Sequence, residues 1–281
     1  MAQNTNLQEV SSQIRRDIIR MVNMASSGHP GGSLSITEVL TTLFFSEMNH
    51  SPKEWRRDGK DKDMFFLSAG HLTPAYYSTL ARSGYFPIEE LATFRKMGSR
   101  LQGHPSIDKG LPGVHVATGS LGQGLSVACG AALTKKINKE DNFVYAVIGD
   151  GESNEGQIWE AALFAAHKKL DRLIVITDWN GQQIDGPVTE VLDTGDLKPK
   201  WEAFGWSCKV VDGHNIDAIK EALQWAKSLA GDGKPKMLLM KTDMGRGVDF
   251  MQGTHQWHGK APNAQETENA LSQLKETLGD F

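Results

Sequence analysis

Cysteine is almost absent from this 281-residue chain: Cys129 and Cys208 are the only two, and both fall inside apolar segments. They read as small buried residues rather than as a disulfide or a metal pair. No apolar run approaches the length of a membrane span, and the first ten residues, MAQNTNLQEV, hold no apolar signal core. There is no excess of one charge either. The net charge of −4 comes from interspersed acids and bases, which leaves no electrostatic footprint for nucleic acid. No Pro/Gly/Ser linker, low-complexity tract or internal repeat divides the sequence. These absences leave the expectation of one large domain over 1–281, with ample length to bury a core, in a soluble cytoplasmic protein with neither membrane nor nucleic acid as partner.

What the chain does have is a regular alternation of apolar runs and amphipathic segments. Apolar residues at Leu7, Val10, Ile14, Ile18, Met21, Val22 and Ala25 predict a helix over 7–25. The stretch Ser26-Ser27-Gly28-His29-Pro30-Gly31-Gly32 then reads as a loop. Further helices are expected at 37–47, 73–82, 88–97, 125–137, 215–229 and 264–278, and buried strands at 64–67, 143–148, 173–177, 207–211 and 236–241. Such alternation implies an α/β fold: a mostly parallel sheet with helices on both faces.

The central stretch, 143–186, carries the chemistry. A strand turns through Gly149-Asp150-Gly151 into a helix, and the next strand ends in Asp178-Trp179-Asn180. In a βαβ unit both strand ends emerge on one sheet edge, so Asp150 and Asn180, thirty positions apart, are expected side by side. An anionic oxygen, an amide oxygen and a backbone carbonyl just past Asn180 suit Mg²⁺, which fills its remaining positions with phosphate oxygens and water. Gly149 and Gly151 let a bulky anion approach the backbone. A second anion cradle is the turn Thr118-Gly-Ser-Leu-Gly-Gln-Gly124, which leads straight into a helix and lacks the dinucleotide-binding spacing. Of nine histidines, His29, His71, His104 and His258 each lie in or beside a Gly-containing loop at the end of an element. Neutral imidazoles gathered at one ligand can hold hydroxyls, donate to phosphate and carry protons near pH 7.

GDG followed some thirty residues later by an Asn-containing strand end resembles the thiamine diphosphate motif. The words SGHPGGSLS (27–35), FLSAGHLTPAYY (66–77), GHPS (103–106), GVHVATGSLGQGLS (113–126), EGQIWEAA (155–162) and WHGKAPN (257–263) narrow the resemblance to the transketolase family. The resemblance implies thiamine diphosphate and Mg²⁺ (Ca²⁺ or Mn²⁺ as substitutes), with Asp150, Asn180 and the Gln182 carbonyl as metal ligands. It implies cofactor contacts from Gly119, Ser120, Leu121, Gly149, Gly151, Asn180, Ile184, His71 and His258, and a buried interface acid at Glu155. His29, His71, His104 and His258 match the active-site histidines, and His255 is a candidate phosphate neighbour. His50, His115, His167 and His214 have no such match and are read as structural. Ser120 stands where many relatives have proline.

The quoted words all belong to the diphosphate-binding half of the family. The resemblance therefore implies an N-terminal subunit, completed by a C-terminal partner that carries the pyrimidine-binding domain, in an α2β2 assembly. The implied reaction is transfer of a two-carbon ketol unit between sugar phosphates, as in the pentose phosphate pathway. Alternatives are an unusual branched or sulfonated ketose, a deoxyxylulose-phosphate-type synthase, or a non-catalytic cofactor-binding subunit. Trp159, Trp179, Trp201 and Trp206 are left open between core and interface.

Overall fold

A computed structural model describes residues 6–281. Its centre is a five-stranded, wholly parallel sheet built from β1 (Met64–Leu67), β2 (Val144–Gly149), β3 (Leu173–Trp179), β4 (Ser207–Asp212) and β5 (Lys236–Lys241). The spatial order is β1-β2-β3-β5-β4. Parallel neighbours need crossover connections, and helices supply them on both faces.

The alternation of side chains along each strand feeds two separate cores. Phe65, Leu67, Tyr145, Val147, Ile174, Ile176, Leu238 and Met240 point to one face, where they pack under α1 (Leu7–Ala25), α2 (Pro30–Ser35), α3 (Thr37–Thr42) and α4 (Thr73–Arg82). Their alternates Met64, Phe66, Val144, Ala146, Ile148, Leu173, Val175, Met237 and Leu239 meet α5 (Gln123–Ile137), α6 (Gly156–His167) and α7 (Leu197–Ala203). A strand buried on both faces reads as a continuous apolar run, which explains the lack of polar alternation in YAVIG and LIVIT. The helix Ile216–Ser228, labelled α8, and the closing helix Ala264–Gln273, labelled α9, join the first face.

Most elements stand where expected; the differences have local causes. The glycine-rich loop after α1 does not stay irregular. Pro30 opens α2, because its fixed φ and missing N–H suit the first helical position. The helix expected over 37–47 is α-helical only to Thr42 and ends in a wider π turn, Leu43–Glu47. The segment expected as a helix over 88–97 is a tight 3-10 turn, Ile88–Thr93. The last helix stops at Gln273, five residues early, although its start is fixed by a reciprocal capping box between Asn263 and Glu266. Among the described residues no helix is long and apolar enough to cross a membrane. Trp201 and Trp206 are core residues, with Trp159 packed on Trp201 at 5.1 Å. Trp179 is half-buried beneath the Lys241 ammonium, 5.5 Å from its ring.

Candidate active site

Because β1, β2, β3 and β5 run parallel, their carboxyl ends meet on one edge. Register pairs Leu67 with Val147, Gly149 with Asp178 and Asp178 with Met240. Asp150, the first residue past β2, stays in the ladder through its N–H to the Asp178 carbonyl at 3.2 Å. Its carboxylate accepts from the N–H of Gly151 at 2.8 Å and from the N–H of Gly181 at 2.6 Å. Asp150 and the residue after Asn180 are thus in direct contact, as the βαβ reading required. The Asn180 oxygen accepts from the Gln182 N–H at 2.9 Å, so Asp150, Asn180 and Gln182 form one cluster.

The electrostatics of that cluster fit a cation. Asp150 is 2 % exposed, and burial together with the neighbouring Asp178 carboxylate pushes its carboxyl up to about 7. Its hydrogen bonds come from backbone amides, with no Lys or Arg side chain among them. Two adjacent buried carboxylates without a basic partner are costly unless a cation neutralises them. No group of three His, Cys, Asp or Glu side chains that could hold a metal occurs among the described residues. A cation here would therefore draw on amide and backbone oxygens, the hard donor set that Mg²⁺ takes.

The histidines converge from four different elements. Ring centroids of His29 lie 5.3 Å from His71, 6.2 Å from His104 and 5.5 Å from His258, and His71 and His258 are 5.0 Å apart. Burial and mutual repulsion hold His29 down to about 4 and His71 well below its usual value; burial lowers His104 and His258 as well. All four are neutral imidazoles near pH 7. The Nδ1 atoms of His29 and His258 are buried and have no hydrogen-bond partner.

The glycine-rich turn closes the third side. Gly119 has φ +145° and lies against His104; a Cβ there would come 3.2 Å from that ring. Gly122, at φ +82°, caps α5 in a left-handed conformation that only glycine adopts freely. Its N–H is held at 2.9 Å by Glu152, which also accepts from the Ser68 hydroxyl at 2.5 Å and from the Gly149 N–H at 3.0 Å. One buried carboxylate thus fastens the turn to the ends of β1 and β2.

Other expected residues have a more qualified place. Gly151 is not open above its Cα, since a Cβ there would meet the Gln183 side chain at 2.9 Å. Ile184 is 62 % exposed, and Glu155 and Ser120 are exposed on this chain, so a buried interface position for Glu155 requires a covering partner. His255 opens a 3-10 turn, His255–Trp257, and its carbonyl accepts from the His258 N–H at 2.8 Å. His50 bonds Tyr85 and the Phe44 carbonyl, His115 the Arg57 carbonyl, and His214 both Glu38 and the Asp243 N–H. The sequence reading missed Glu152 and Asp178, and it missed Arg95. That guanidinium donates to the Ser27 hydroxyl at 2.8 Å and helps keep His29 and His104 unprotonated.

Comparison with known proteins agrees with this geometry. Residues 7–279 match the family model described as transketolase, thiamine diphosphate binding domain. The 6-deoxy-6-sulfo-D-fructose transketolase subunit SqwG of Clostridium sp. (strain MSTE9) is 42 % identical over 275 residues, 97 % of this chain and 98 % of that protein. A subunit of the apulose-4-phosphate transketolase of Actinobacillus succinogenes is 40 % identical, covering 96 % of each chain. Among solved structures, transketolase from Leishmania mexicana superposes with a TM-score of 0.90 at 30 % identity; the match covers 99 % of this chain and 42 % of that one.

Proposed function

The chain belongs to the transketolase family, and from that premise we propose that it is the diphosphate-binding subunit of a two-subunit transketolase. The complex would move a two-carbon ketol unit from a ketose phosphate to an aldose. One observation carries the reading: the chain aligns end to end with proteins named as transketolase subunits, yet spans only 42 % of an intact transketolase.

Thiamine diphosphate, when bound, supplies the electron sink for breaking and making the carbon–carbon bond. The chain's own part is positioning and proton handling. Asp150, Asn180 and the Gln182 carbonyl would hold Mg²⁺, which the buried, cation-free carboxylates favour. Gly149, Gly151 and the Gly119–Leu121 turn would receive the anionic tail of the cofactor, with Ile184 against its ring system. His29 and His258, neutral and each with an unpartnered Nδ1, are suited to take a proton from a substrate hydroxyl and return it. His71 and His104 would hold the remaining hydroxyls. The whole of 1–281 would act as a single cofactor-binding domain. A partner subunit bearing the pyrimidine-binding domain, arranged as α2β2 in the cytoplasm, would complete the site and cover Ile184 and Glu155.

A second reading concerns the substrate. The Clostridium and Actinobacillus relatives are named for a sulfonated ketose and for apulose 4-phosphate, which favours an unusual ketose over the ordinary pentose phosphates. Both are transketolase subunits, which speaks against a deoxyxylulose-type synthase and a non-catalytic role. The test is the complex reconstituted with its partner, assayed with xylulose 5-phosphate plus ribose 5-phosphate and, in parallel, with 6-deoxy-6-sulfofructose. Transfer from the first donor supports the ordinary substrate, and transfer from the second alone supports the unusual ketose. Release of CO2 from pyruvate, without ketol transfer, would contradict both.

A further inference from the structure

Asp178 has no part in the site as assigned so far, yet it is the one charged residue in β3 and only 1 % exposed. Its Oδ1 accepts from the Thr242 hydroxyl at 2.5 Å, just past β5. Its Oδ2 accepts from the Ser35 hydroxyl of α2 at 2.5 Å and from the Asn180 Nδ2 at 2.9 Å. The carboxylate is therefore clamped from two flanks before it meets the amide.

The consequence lies in the asymmetry of a carboxamide. An ionised carboxylate only accepts, so Asp178 selects the NH2 end of Asn180 and turns Oδ1 the other way. That oxygen has two lone pairs, and the Gln182 N–H at 2.9 Å occupies one. The other remains for a cation. Without an acceptor at position 178 the amide is free to flip, and a cation would then face two N–H donors. We propose that Asp178 is a positioning residue that fixes the orientation of the Asn180 carboxamide and so sets the divalent-cation affinity of the site. The inference rests on the reading of Asp150, Asn180 and Gln182 as the cation's oxygen donors.

The experiment is a Mn²⁺ titration followed by electron paramagnetic resonance. It uses the complex reconstituted with its partner subunit in the presence of thiamine diphosphate. Asp178→Asn keeps the shape but adds a donor, and it is expected to weaken Mn²⁺ binding by about 10- to 100-fold. The exchange Asp178→Asn with Asn180→Asp should recover most of that loss, to within about threefold of the unaltered complex. A carboxylate at position 180 presents oxygen whichever way it turns, and the total charge is unchanged. A purely structural acid would give no such rescue. Undiminished affinity in Asp178→Asn, or a loss that the exchange leaves in place, overturns the proposal. If the unaltered complex takes up no Mn²⁺, the reading of the cation site itself fails, and the proposal fails with it. Should Asp178→Asn not fold, Thr242→Val removes one clamp and keeps the charge; a weakening of about threefold or more is expected, and no change overturns the proposal.

Discussion

At the ends of β2 and β3 all six carboxylate oxygens of Asp150, Glu152 and Asp178 have a donor, whereas across the site two buried ring nitrogens, on His29 and His258, have none. The acidic flank is finished by the chain itself. Backbone amides and hydroxyls hold each carboxylate in one geometry, at the cost of burying adjacent negative charge. The histidine flank is close-packed but left short of hydrogen bonds, and its rings stay neutral because burial and neighbouring cationic groups resist protonation. Unsatisfied buried polar atoms cost free energy. Their concentration on the flank that would meet the sugar teaches that this side is arranged for a ligand, while the other is arranged for an ion.

The contrast can be broken at its strongest point. Asp150→Ala should lower ketol transfer by the reconstituted complex about a thousandfold, equivalent to several kcal/mol, and weaken calorimetric uptake of Mg²⁺ with thiamine diphosphate. Retained activity would show that the acidic flank holds no essential ion. On the other flank, His29→Gln should reduce kcat/KM about a hundredfold while cation affinity stays unchanged. It should also alter the pH profile of stability. With His29 held to about 4 in the folded state, the unfolded chain binds the extra proton first, so falling pH destabilises the fold between about 6.5 and 4. Urea midpoints should show a shallower acid loss in His29→Gln than in the unaltered protein; parallel curves would contradict the buried neutral ring.

Glu152→Gln tests whether the acidic flank is held by charge-assisted bonds. The amide retains the shape but loses acceptor strength toward Ser68, Gly122 and Gly149. A stability loss of about 1–3 kcal/mol in denaturant unfolding is expected, and an unchanged midpoint would mean that the turn is fixed by other contacts. The smallest effect belongs to Ile184. Being exposed on this chain, its truncation to alanine should change stability by less than about 0.5 kcal/mol, yet weaken cofactor binding measurably by calorimetry. A large stability loss would show that it packs within the chain after all.

Much of this was legible from the residues in order. Apolar runs ending in GDG and in DWN place two strand tips, and the parallel rule joins them on one edge. The failures have a common origin. Asp178 was visible as a lone charge in a run that otherwise reads as buried strand, but its partners Ser35 and Thr242 lie 143 and 64 positions away. Glu152 looks like any acid beside a helix start, until the fold brings Ser68 and Gly122 to it from 84 and 30 positions away. Arg95 stands in a loop with no pattern around it. The helix beginning at Pro30 was missed for a different reason, because glycine and proline signal a break by composition and a start by position.

Local pattern alone determined which segments are strands, which faces of the helices are apolar, and that Asp150 and Asn180 share an edge, because side-chain period and crossover handedness act within tens of residues. Only the tertiary structure decided that four histidines from four elements stand within 5.0–6.2 Å of one another, and that the Asn180 amide is turned by an acid held from both flanks. Those features depend on which distant groups end up buried together. Hydrogen-bond geometry between them, unlike hydrophobic period, leaves no trace in the spacing of residues along the chain.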